Sequence, residues 1–335
     1  SMKYVVFGGL SAGIMLYGIS LMYGLTGTLD LVEMSNSATL AAQLSESPVP
    51  VAVAIVLVIA GFAYKISAVP FHFWTPDVYE GAPTPVTTFL AVASKAAGFG
   101  ALLRFLGAMF MTEGVNEVIA EYGKSIGALL ALITAVTMTM GNLSALKQSS
   151  LKRMLAYSSI AHAGYVLIGA AAMTAAGFEA AMWYLAAYYF MNLGAFAVVL
   201  YFEAVTGSDK LENLKGLGPK YPMVSVAMVA LLVSLTGLPP TVGFYGKYLL
   251  FVEGVDAGLM WLVVVAALNS VVSLFYYFRV AKALFLEQGE DAPTVLCSRN
   301  LSTLILLLGA GSVYFFFAPD AIQVWAAASL DMLGG

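Results

Sequence analysis

Charged residues are scarce in this sequence: they make up 10% of its 335 residues, whereas 61% are hydrophobic. A soluble domain has about 25% charged residues, and a soluble fold this apolar would expose large apolar patches to water. The composition therefore excludes an ordinary soluble enzyme and favours a protein surrounded by a lipid bilayer. The net charge of -4 is too small to indicate a nucleic acid or another highly charged partner.

Cysteine and histidine are almost absent as well. The single Cys297 excludes an internal disulfide, a CxxC pair and a four-cysteine iron–sulfur site, and two histidines are too few for a haem with two histidine ligands together with any further histidine site. The sequence also has no GxGxxG motif in a βαβ unit and no GxxxxGK[ST] loop. We therefore expect no bound cofactor, no metal and no catalytic redox residue in this chain, so any redox reaction would belong to a partner.

Long apolar segments are abundant instead. About 20 apolar residues cross the hydrocarbon core, which is roughly 30 Å thick. The sequence predicts an all-α polytopic membrane protein of about nine transmembrane helices and no soluble domain. A shorter apolar stretch at about 71–81 follows the second span. The predicted spans lie at about 3–24, 49–67, 83–108, 125–146, 153–173, 179–205, 222–252, 257–285 and 299–318.

The basic residues indicate how the chain is oriented. Let side X be the side of the membrane on which the chain begins, and let the chain cross to the opposite side, Y, and back at successive predicted spans. Ten of the fifteen basic residues then lie on side X, Arg104 and Lys124 lie on side Y, and three lie within spans. Cytoplasmic loops carry the excess of lysine and arginine. We therefore predict that side X is cytoplasmic. Its basic residues are Lys3, Lys147, Lys152, Arg153, Lys210, Lys215, Lys220, Arg279, Lys282 and Arg299.

Proline interrupts two of the predicted spans. Pro70 lies in the extended second span, 49–81, and the motif Pro239-Pro240-Thr241-Val242-Gly243 lies in the seventh, 222–252. Proline removes a backbone donor, and non-helical backbone within a membrane occurs only where protein or a water-filled cavity satisfies it. A simple kink would explain either proline site alone. Two such sites, each near a lysine, favour an ion pathway.

Three lysines fall inside the spans. Lys65 and Lys95 lie on neighbouring spans, and Lys247 follows the second proline site by about two turns. A charge near the bilayer centre costs about 2.5–3.5 kcal/mol on insertion scales. A buried lysine that exchanges its proton near neutral pH could carry protons. The three lysines therefore predict a proton relay, and the alternative is a purely structural role.

The two histidines are candidates for the same pathway. His72 lies at the first proline site, and His162 lies about nine residues into the fifth span, next to Ser158 and Ser159. Histidine titrates near neutral pH and can transfer protons. The alternative is a neutral imidazole that is packed and hydrogen-bonded within the bundle.

Four stretches together resemble subunit N of respiratory complex I, the NADH:quinone oxidoreductase. The most specific is KISAVPFHFWTPDVYEGAPTP at 65–85, which is followed by a helix with a Ser94-Lys95 pair. The stretches LKRMLAYSSIAHAGY at 151–165 and SLTGLPPTVGFYGKYLL at 234–250 also fit. The resemblance covers essentially the whole chain.

The resemblance implies an antiporter-like fold of fourteen helices with two inverted five-helix repeats, of which this chain would supply helices 6–14. Residues 1–110 would be the C-terminal part of the first repeat, with the broken helix 49–81. Residues 125–285 would be the second repeat, with the broken helix 222–252, and 299–318 the final helix. The first five helices, one with a glutamate that pairs with the Lys65 position, would be absent.

The resemblance also implies a function. The chain would translocate protons through Lys65, Lys95 and Lys247, with Lys3 near the start of the family's sixth helix. NADH, FMN, iron–sulfur clusters and quinone would be bound by partner subunits in the membrane complex. The location would be a bacterial plasma membrane or, alternatively, a mitochondrial inner or thylakoid membrane. A subunit of a multi-subunit sodium/proton antiporter and a structural membrane subunit are the other two interpretations.

Overall fold

The computed structural model describes residues 2–289 and 298–334, and these form helices joined by turns and short loops. A π-helical turn, Leu90–Ser94, joins the sixth and seventh helices, and a 3-10 turn covers Leu211–Leu214. The helices are α1 (Met2–Thr26), α2 (Leu31–Ser35), α3 (Ala38–Glu46), α4 (Val49–Ile66), α5 (Trp74–Gly81), α6 (Thr84–Phe89), α7 (Lys95–Phe110), α8 (Glu117–Ala145), α9 (Leu151–Ala172), α10 (Ala175–Thr206), α11 (Pro222–Thr236), α12 (Val242–Asp256), α13 (Met260–Phe285), α14 (Arg299–Phe317) and α15 (Asp320–Gly334).

The predicted all-α membrane fold is confirmed. Eight helical segments are long and apolar enough to cross a bilayer, and one of them is the continuous unit of α6, the π turn and α7. The ninth crossing is divided between α11 and α12, each too short to cross alone. Each predicted span overlaps one observed crossing, because a segment within the hydrocarbon core needs apolar side chains over about 20 residues and a helical backbone that satisfies its own hydrogen bonds.

The first break lies between α4 and α5. Ser67 has a left-handed backbone, with φ of 64°, and ends α4 two residues after Lys65. The freed backbone is satisfied by side chains: Val69 N donates to Thr137 Oγ1 at 3.0 Å, and Trp74 Nε1 donates to Tyr64 O at 3.1 Å. Protein groups, rather than lipid, therefore surround the non-helical segment that contains Pro70 and His72.

The second break runs from Gly237 to Thr241 and contains Pro239 and Pro240. Gly237 has a φ of 86° and ends α11. Gly243 was predicted to belong to this break, but that prediction is wrong because α12 begins at Val242. Gly243 instead allows the start of α12 to pack closely against α11, because a methyl group there would lie 1.8 Å from Ser234 O. Gly243 N donates to Ser234 Oγ at 3.2 Å, which ties the start of α12 to the last turn of α11.

The centre of the bundle is α9, which packs against α8, α10 and α12. Two glycines bring α8 and α9 together. A methyl group at Gly141 would lie 2.6 Å from Ala161 N, and one at Gly164 would lie 2.9 Å from Met138 N. Small residues permit this backbone approach in membrane bundles, where dispersion contacts replace the hydrophobic effect between helices. The close packing fixes Ser158, Ser159 and His162 inside the protein.

Three helices were not predicted as elements. The connection 25–48 contains α2 and α3, whose first turns are capped by Asp30 and Ser37. The chain after the last crossing forms α15, in which Ile322 and Ala326 are buried. Apolar length alone misses such short helices, whereas the capping residues of α2 and α3 were visible in the sequence.

Candidate functional site

Lys95 lies fully inside the protein at the start of α7, with 2% of its surface exposed. Its Nζ donates to Ser159 O at 2.7 Å and to Ser159 Oγ at 2.5 Å. The π-helical turn immediately precedes it and holds one more residue per turn than an α-helix, which changes the direction in which the following side chains point. This local geometry directs Lys95 toward α9 rather than toward lipid.

His162 links three helices. Its Nδ1 is hydrogen-bonded to the Tyr184 hydroxyl of α10 at 2.7 Å, and its Nε2 lies 3.3 Å from the Tyr277 hydroxyl of α13. The same Tyr277 hydroxyl bonds to Ser158, next to the serine that binds Lys95. His162 therefore has a polar group on each ring nitrogen, which is the arrangement that a proton-transferring imidazole needs.

Lys247 is buried, with 4% of its surface exposed, where the two halves of the broken helix meet. Its Nζ donates to Thr236 O at 2.8 Å and to Ser270 Oγ at 3.1 Å, and it lies 4.1 Å from the ring centroid of Tyr165. Thr236 is the last residue of α11, so its carbonyl lies at the negative end of that helix. A helix end, a hydroxyl and an aromatic face thus hold the ammonium group.

The polar groups around Lys95, His162 and Lys247 form a nearly continuous path between the two buried lysines. From Lys95 the path runs through Ser159, Ser158, Tyr277 and His162. From Lys247 it runs through Ser270 to the Tyr165 hydroxyl, 3.0 Å from Ser270 Oγ. The rings of His162 and Tyr165, with centroids 5.7 Å apart, lie where the two parts meet. The path is lined by groups that donate and accept protons.

Lys65 was expected to be buried, and this expectation is wrong for the described residues. The side chain is exposed and lies along a cavity of about 540 Å³ between α1, α4 and α7. Gly98 leaves room for it: a methyl group there would lie 2.9 Å from Lys65 Cγ. Among residues 2–289 and 298–334, no group forms a hydrogen bond or ion pair with Lys65. The cavity leaves the Lys65 side chain exposed among the described residues.

His72 is not joined to the path. It is 5% exposed in the first break and packs against Phe73, and its Nδ1 has no hydrogen-bond partner within the described part of the chain. The structure therefore separates the two histidines: His162 belongs to the polar path, whereas His72 packs within the break.

Lys3 lies at the surface, in an ion pair with Asp77 of α5. Arg153, at the start of α9, also contacts Asp77 at 2.9 Å and reaches Glu80 at 2.7 Å. These ion pairs hold the short helix α5 between α1 and α9. Exposed pairs of this kind contribute little stability individually, about 0–1 kcal/mol, but together they fix where α5 ends.

A second polar cluster anchors α13 to α8. Asn142 Nδ2 donates to Asn269 Oδ1 at 3.0 Å, and Asn269 Nδ2 donates to Thr139 Oγ1 at 3.2 Å. Tyr276 completes the cluster by donating to Asn142 Oδ1 at 3.0 Å. Because Ser270 and Tyr277 lie on the same helix, this cluster determines where both of them meet the polar path.

The tyrosines that connect the charged residues were not predicted from the sequence. These tyrosines are Tyr165, Tyr184 and Tyr277. Ser270, which contacts Lys247, was not predicted either. A signal was present for α10, in which Tyr184, Tyr188 and Asn192 recur every four residues and so share one helix face. No group of three histidine, cysteine or carboxylate side chains that could hold a metal occurs within residues 2–289 and 298–334.

Comparison with known proteins extends this picture. Residues 1–273 match the family described as NADH:quinone oxidoreductase/Mrp antiporter, TM. The chain is 47% identical over 332 residues to the NADH-quinone oxidoreductase subunit N 2 of Sorangium cellulosum, an alignment that covers 95% of this chain and 65% of the relative.

Solved structures agree with the family match. A chain of respiratory complex I from Thermus thermophilus with bound aureothin superposes with a TM-score of 0.79 at 36% identity, covering 100% of this chain and 69% of that one. A chain of the Mrp complex from a Dietzia species gives a TM-score of 0.86 at 22% identity, with 99% and 67% covered, and supports the fold alone.

The chain therefore spans about two thirds of the length of these proteins, as its alignment with 65% of the Sorangium relative shows. The matched residues include both helix breaks, all three span lysines and every residue of the polar path except Tyr277. On this evidence the chain belongs to the NADH:quinone oxidoreductase/Mrp antiporter transmembrane family.

Proposed function

We propose that this chain translocates protons as a subunit of the N type in a membrane-bound NADH:quinone oxidoreductase. The observation that carries the proposal is the buried polar path from Lys95 to Lys247, because its lysines, histidine, serines and tyrosines can pass protons between hydrogen-bonded partners. The 47% identity to a subunit N favours this type over an Mrp antiporter subunit, because the solved Mrp chain is only 22% identical to this one.

In this proposal, Lys95 and Lys247 hold protons at the two ends of the path, and His162 transfers them between the ends. Lys65 would act upstream of Lys95, since its stem packs against Gly98, one turn beyond Lys95 on α7. Lys3 and His72 are also proposed to carry protons, Lys3 beside Asp77 at the surface and His72 in the first break, both outside the path between Lys95 and Lys247. We propose that residues 1–110 are the C-terminal part of a first inverted repeat, that 125–285 are the second repeat and that 299–318 are the final transmembrane helix, with one break in each repeat.

The energy for transport would come from partners. NADH oxidation and quinone reduction, with FMN and iron–sulfur clusters, would take place in other subunits of the complex, in a bacterial plasma membrane. The test is proton pumping by the purified complex in vesicles with NADH and quinone as substrates. Lys95→Ala should abolish pumping by this subunit while the complex still assembles, and unchanged pumping would contradict the proposal.

The second candidate function is that of a sodium/proton antiporter subunit, because the chain shares its fold with a chain of the Mrp complex. Measurements on the same vesicles distinguish the oxidoreductase subunit from the antiporter subunit. Sodium uptake that depends on Lys95 and does not require NADH would favour the antiporter, whereas NADH-dependent acidification in sodium-free buffer would favour the oxidoreductase subunit.

A further inference from the structure

Arg104 is a cation near side Y for which the described part of the chain provides no partner. It lies on α7, about 9 Å along the helix axis before the helix ends at Phe110. Its side chain is exposed, and it forms no hydrogen bond or ion pair with any residue of 2–289 and 298–334. A charge within a crossing is costly, and basic residues are disfavoured on side Y. Arg104 is therefore kept against two unfavourable tendencies, which calls for an anionic partner.

Arg104 borders a cavity of about 730 Å³ between the start of α2, the end of α7 and the start of α10. The Phe178 ring of α10 packs against the backbone of α7, because a methyl group at Gly107 would lie 3.6 Å from Phe178 Cε2. Leu29 and Val32 form an apolar rim on the opposite wall and are 64% and 44% exposed. The cavity thus combines a guanidinium group with an apolar edge that water would leave uncovered.

Two carboxylates line the same cavity. Glu113 has no hydrogen bond or ion pair within residues 2–289 and 298–334. Asp30 Oδ1 accepts from Val32 N at 2.8 Å and from Glu33 N at 3.1 Å, which caps α2 and leaves Oδ2 available. Neither carboxylate pairs with Arg104, so the cavity presents its positive and negative groups separately to a ligand.

These charges distinguish between possible ligands. A guanidinium group binds phosphate through two parallel hydrogen bonds. A lipid headgroup with a net negative charge would meet the two carboxylates, and free inorganic phosphate would leave the apolar rim exposed. A headgroup that carries both a phosphate and a primary ammonium group satisfies all three charges, since the ammonium group donates to carboxylate oxygens.

We propose that this cavity binds a phospholipid of the phosphatidylethanolamine class. Its phosphate lies on Arg104, its ammonium group points to Glu113 and Asp30, and an acyl chain covers the rim at Leu29 and Val32. The lipid joins α2 to the ends of α7 and α10 and so holds part of the connection 25–48 on side Y. The site lies outside the polar path and does not depend on the proposed function.

The first test asks which headgroup the cavity accepts. A phosphatidylethanolamine, a phosphatidylglycerol and a phosphatidylcholine with the same photoreactive acyl chain are added separately to the intact membrane complex. Mass spectrometry then quantifies the label on residues 29–32 and 103–113. We expect phosphatidylethanolamine to label these segments most strongly, because the glycerol headgroup has no cation and the choline headgroup has no ammonium hydrogen to donate. Equal labelling by all three lipids would overturn the site, since ordinary surrounding lipid would explain it.

Arg104→Gln tests the phosphate contact. Loss of one charge-assisted hydrogen bond lowers binding about tenfold, so labelling by phosphatidylethanolamine should fall by about that factor while the complex still assembles. Lys124→Gln is the matched control, because Lys124 is the other basic residue assigned to side Y but is paired with Glu121 at 2.6 Å and lies away from the cavity. The control should be labelled like the unmodified complex. Undiminished labelling of Arg104→Gln would overturn the proposal.

Asp30→Asn combined with Glu113→Gln tests the ammonium contact. Asparagine keeps the cap of α2, so the fold of this loop is retained. We expect the double variant to lose its preference for phosphatidylethanolamine and to gain labelling by phosphatidylglycerol, because the carboxylates no longer repel a negative headgroup. An unchanged preference would contradict the assignment of the headgroup. A structure of the intact complex in which a protein segment fills the cavity would overturn the lipid site as a whole.

Discussion

Lys247 Nζ lies 4.1 Å from the ring centroid of Tyr165 and 2.8 Å from Thr236 O, so one lysine joins the broken helix to the central helix α9. The contact with the ring and the contact with the helix end are independent of each other. A substitution at Tyr165 can remove the ring contact, whereas the Thr236 carbonyl belongs to the backbone and stays in place, so the effect of the ring can be measured separately.

Substitution of Lys247 should separate a proton relay from a fixed charge. Lys247→Ala removes the exchangeable proton, so coupled proton transfer should fall sharply while the complex assembles. Lys247→Arg keeps the charge, but a guanidinium group does not release its proton near neutral pH. We therefore expect arginine to impair pumping in reconstituted vesicles nearly as much as alanine does. Restoration by arginine would indicate an electrostatic role, and full activity with alanine would exclude the relay.

Tyr165 should matter through its ring as well as its hydroxyl. A cation over an aromatic face is stabilised by about 0.5–2 kcal/mol, depending on how dry the site is. Tyr165→Phe retains the ring, whereas Tyr165→Leu removes both the ring and the hydroxyl. If the ring holds Lys247, phenylalanine should retain most of the proton transfer and leucine should lose it. Equal loss in both variants would assign the role to the hydroxyl and its bond to Ser270.

The predicted orientation can be tested by chemical labelling. Ser149 is exposed in the loop before α9 and lies on side X, whereas Glu113 is exposed on side Y. In a background with Cys297 replaced by serine, Ser149→Cys should react with a membrane-impermeant thiol reagent only from the cytoplasm. Glu113→Cys should react only from the opposite side. Labelling of Ser149→Cys from outside would invert every loop, because all loops are linked by the number of crossings.

Gly243 should not tolerate a side chain. A methyl group there would lie 1.8 Å from Ser234 O, and overpacking typically costs about 1–3 kcal/mol, occasionally more. Gly243→Ala should therefore lower the thermal stability of the purified protein. Gly100→Ala is the control, because no atom lies within 4 Å of the added methyl group. Similar melting temperatures for the two variants would show that α11 and α12 can separate without cost.

Much of the fold could be predicted because lipid imposes a simple rule on sequence. A crossing must be apolar over its length, so the spans and both proline sites are visible in the order of the residues alone. The short helices α2, α3 and α15 were not predicted, because they lie outside the apolar segments. Gly243 was assigned to the break because it stands in the same motif as Pro239 and Pro240, whereas its actual role depends on a contact with Ser234 of α11, nine residues earlier.

The candidate site could be predicted only in part. A lysine in an apolar segment is conspicuous, so Lys95 and Lys247 were identified directly. Their connection depends on tyrosines, and a tyrosine in a membrane helix resembles any other aromatic residue in the sequence. The exposure of Lys65 shows the opposite problem, because the position of a residue along a span does not reveal which face of its helix neighbours cover.

The central position of α9 has a consequence for how the protein is made. Of the eight long crossings it is the least apolar, yet 94% of its most apolar 18-residue stretch is buried by other helices. The insertion machinery evaluates apolarity largely one segment at a time. We therefore expect α9 to insert stably only together with α8 and α10. The order in which these helices insert would then matter as much as the finished bundle for burying the polar residues of α9.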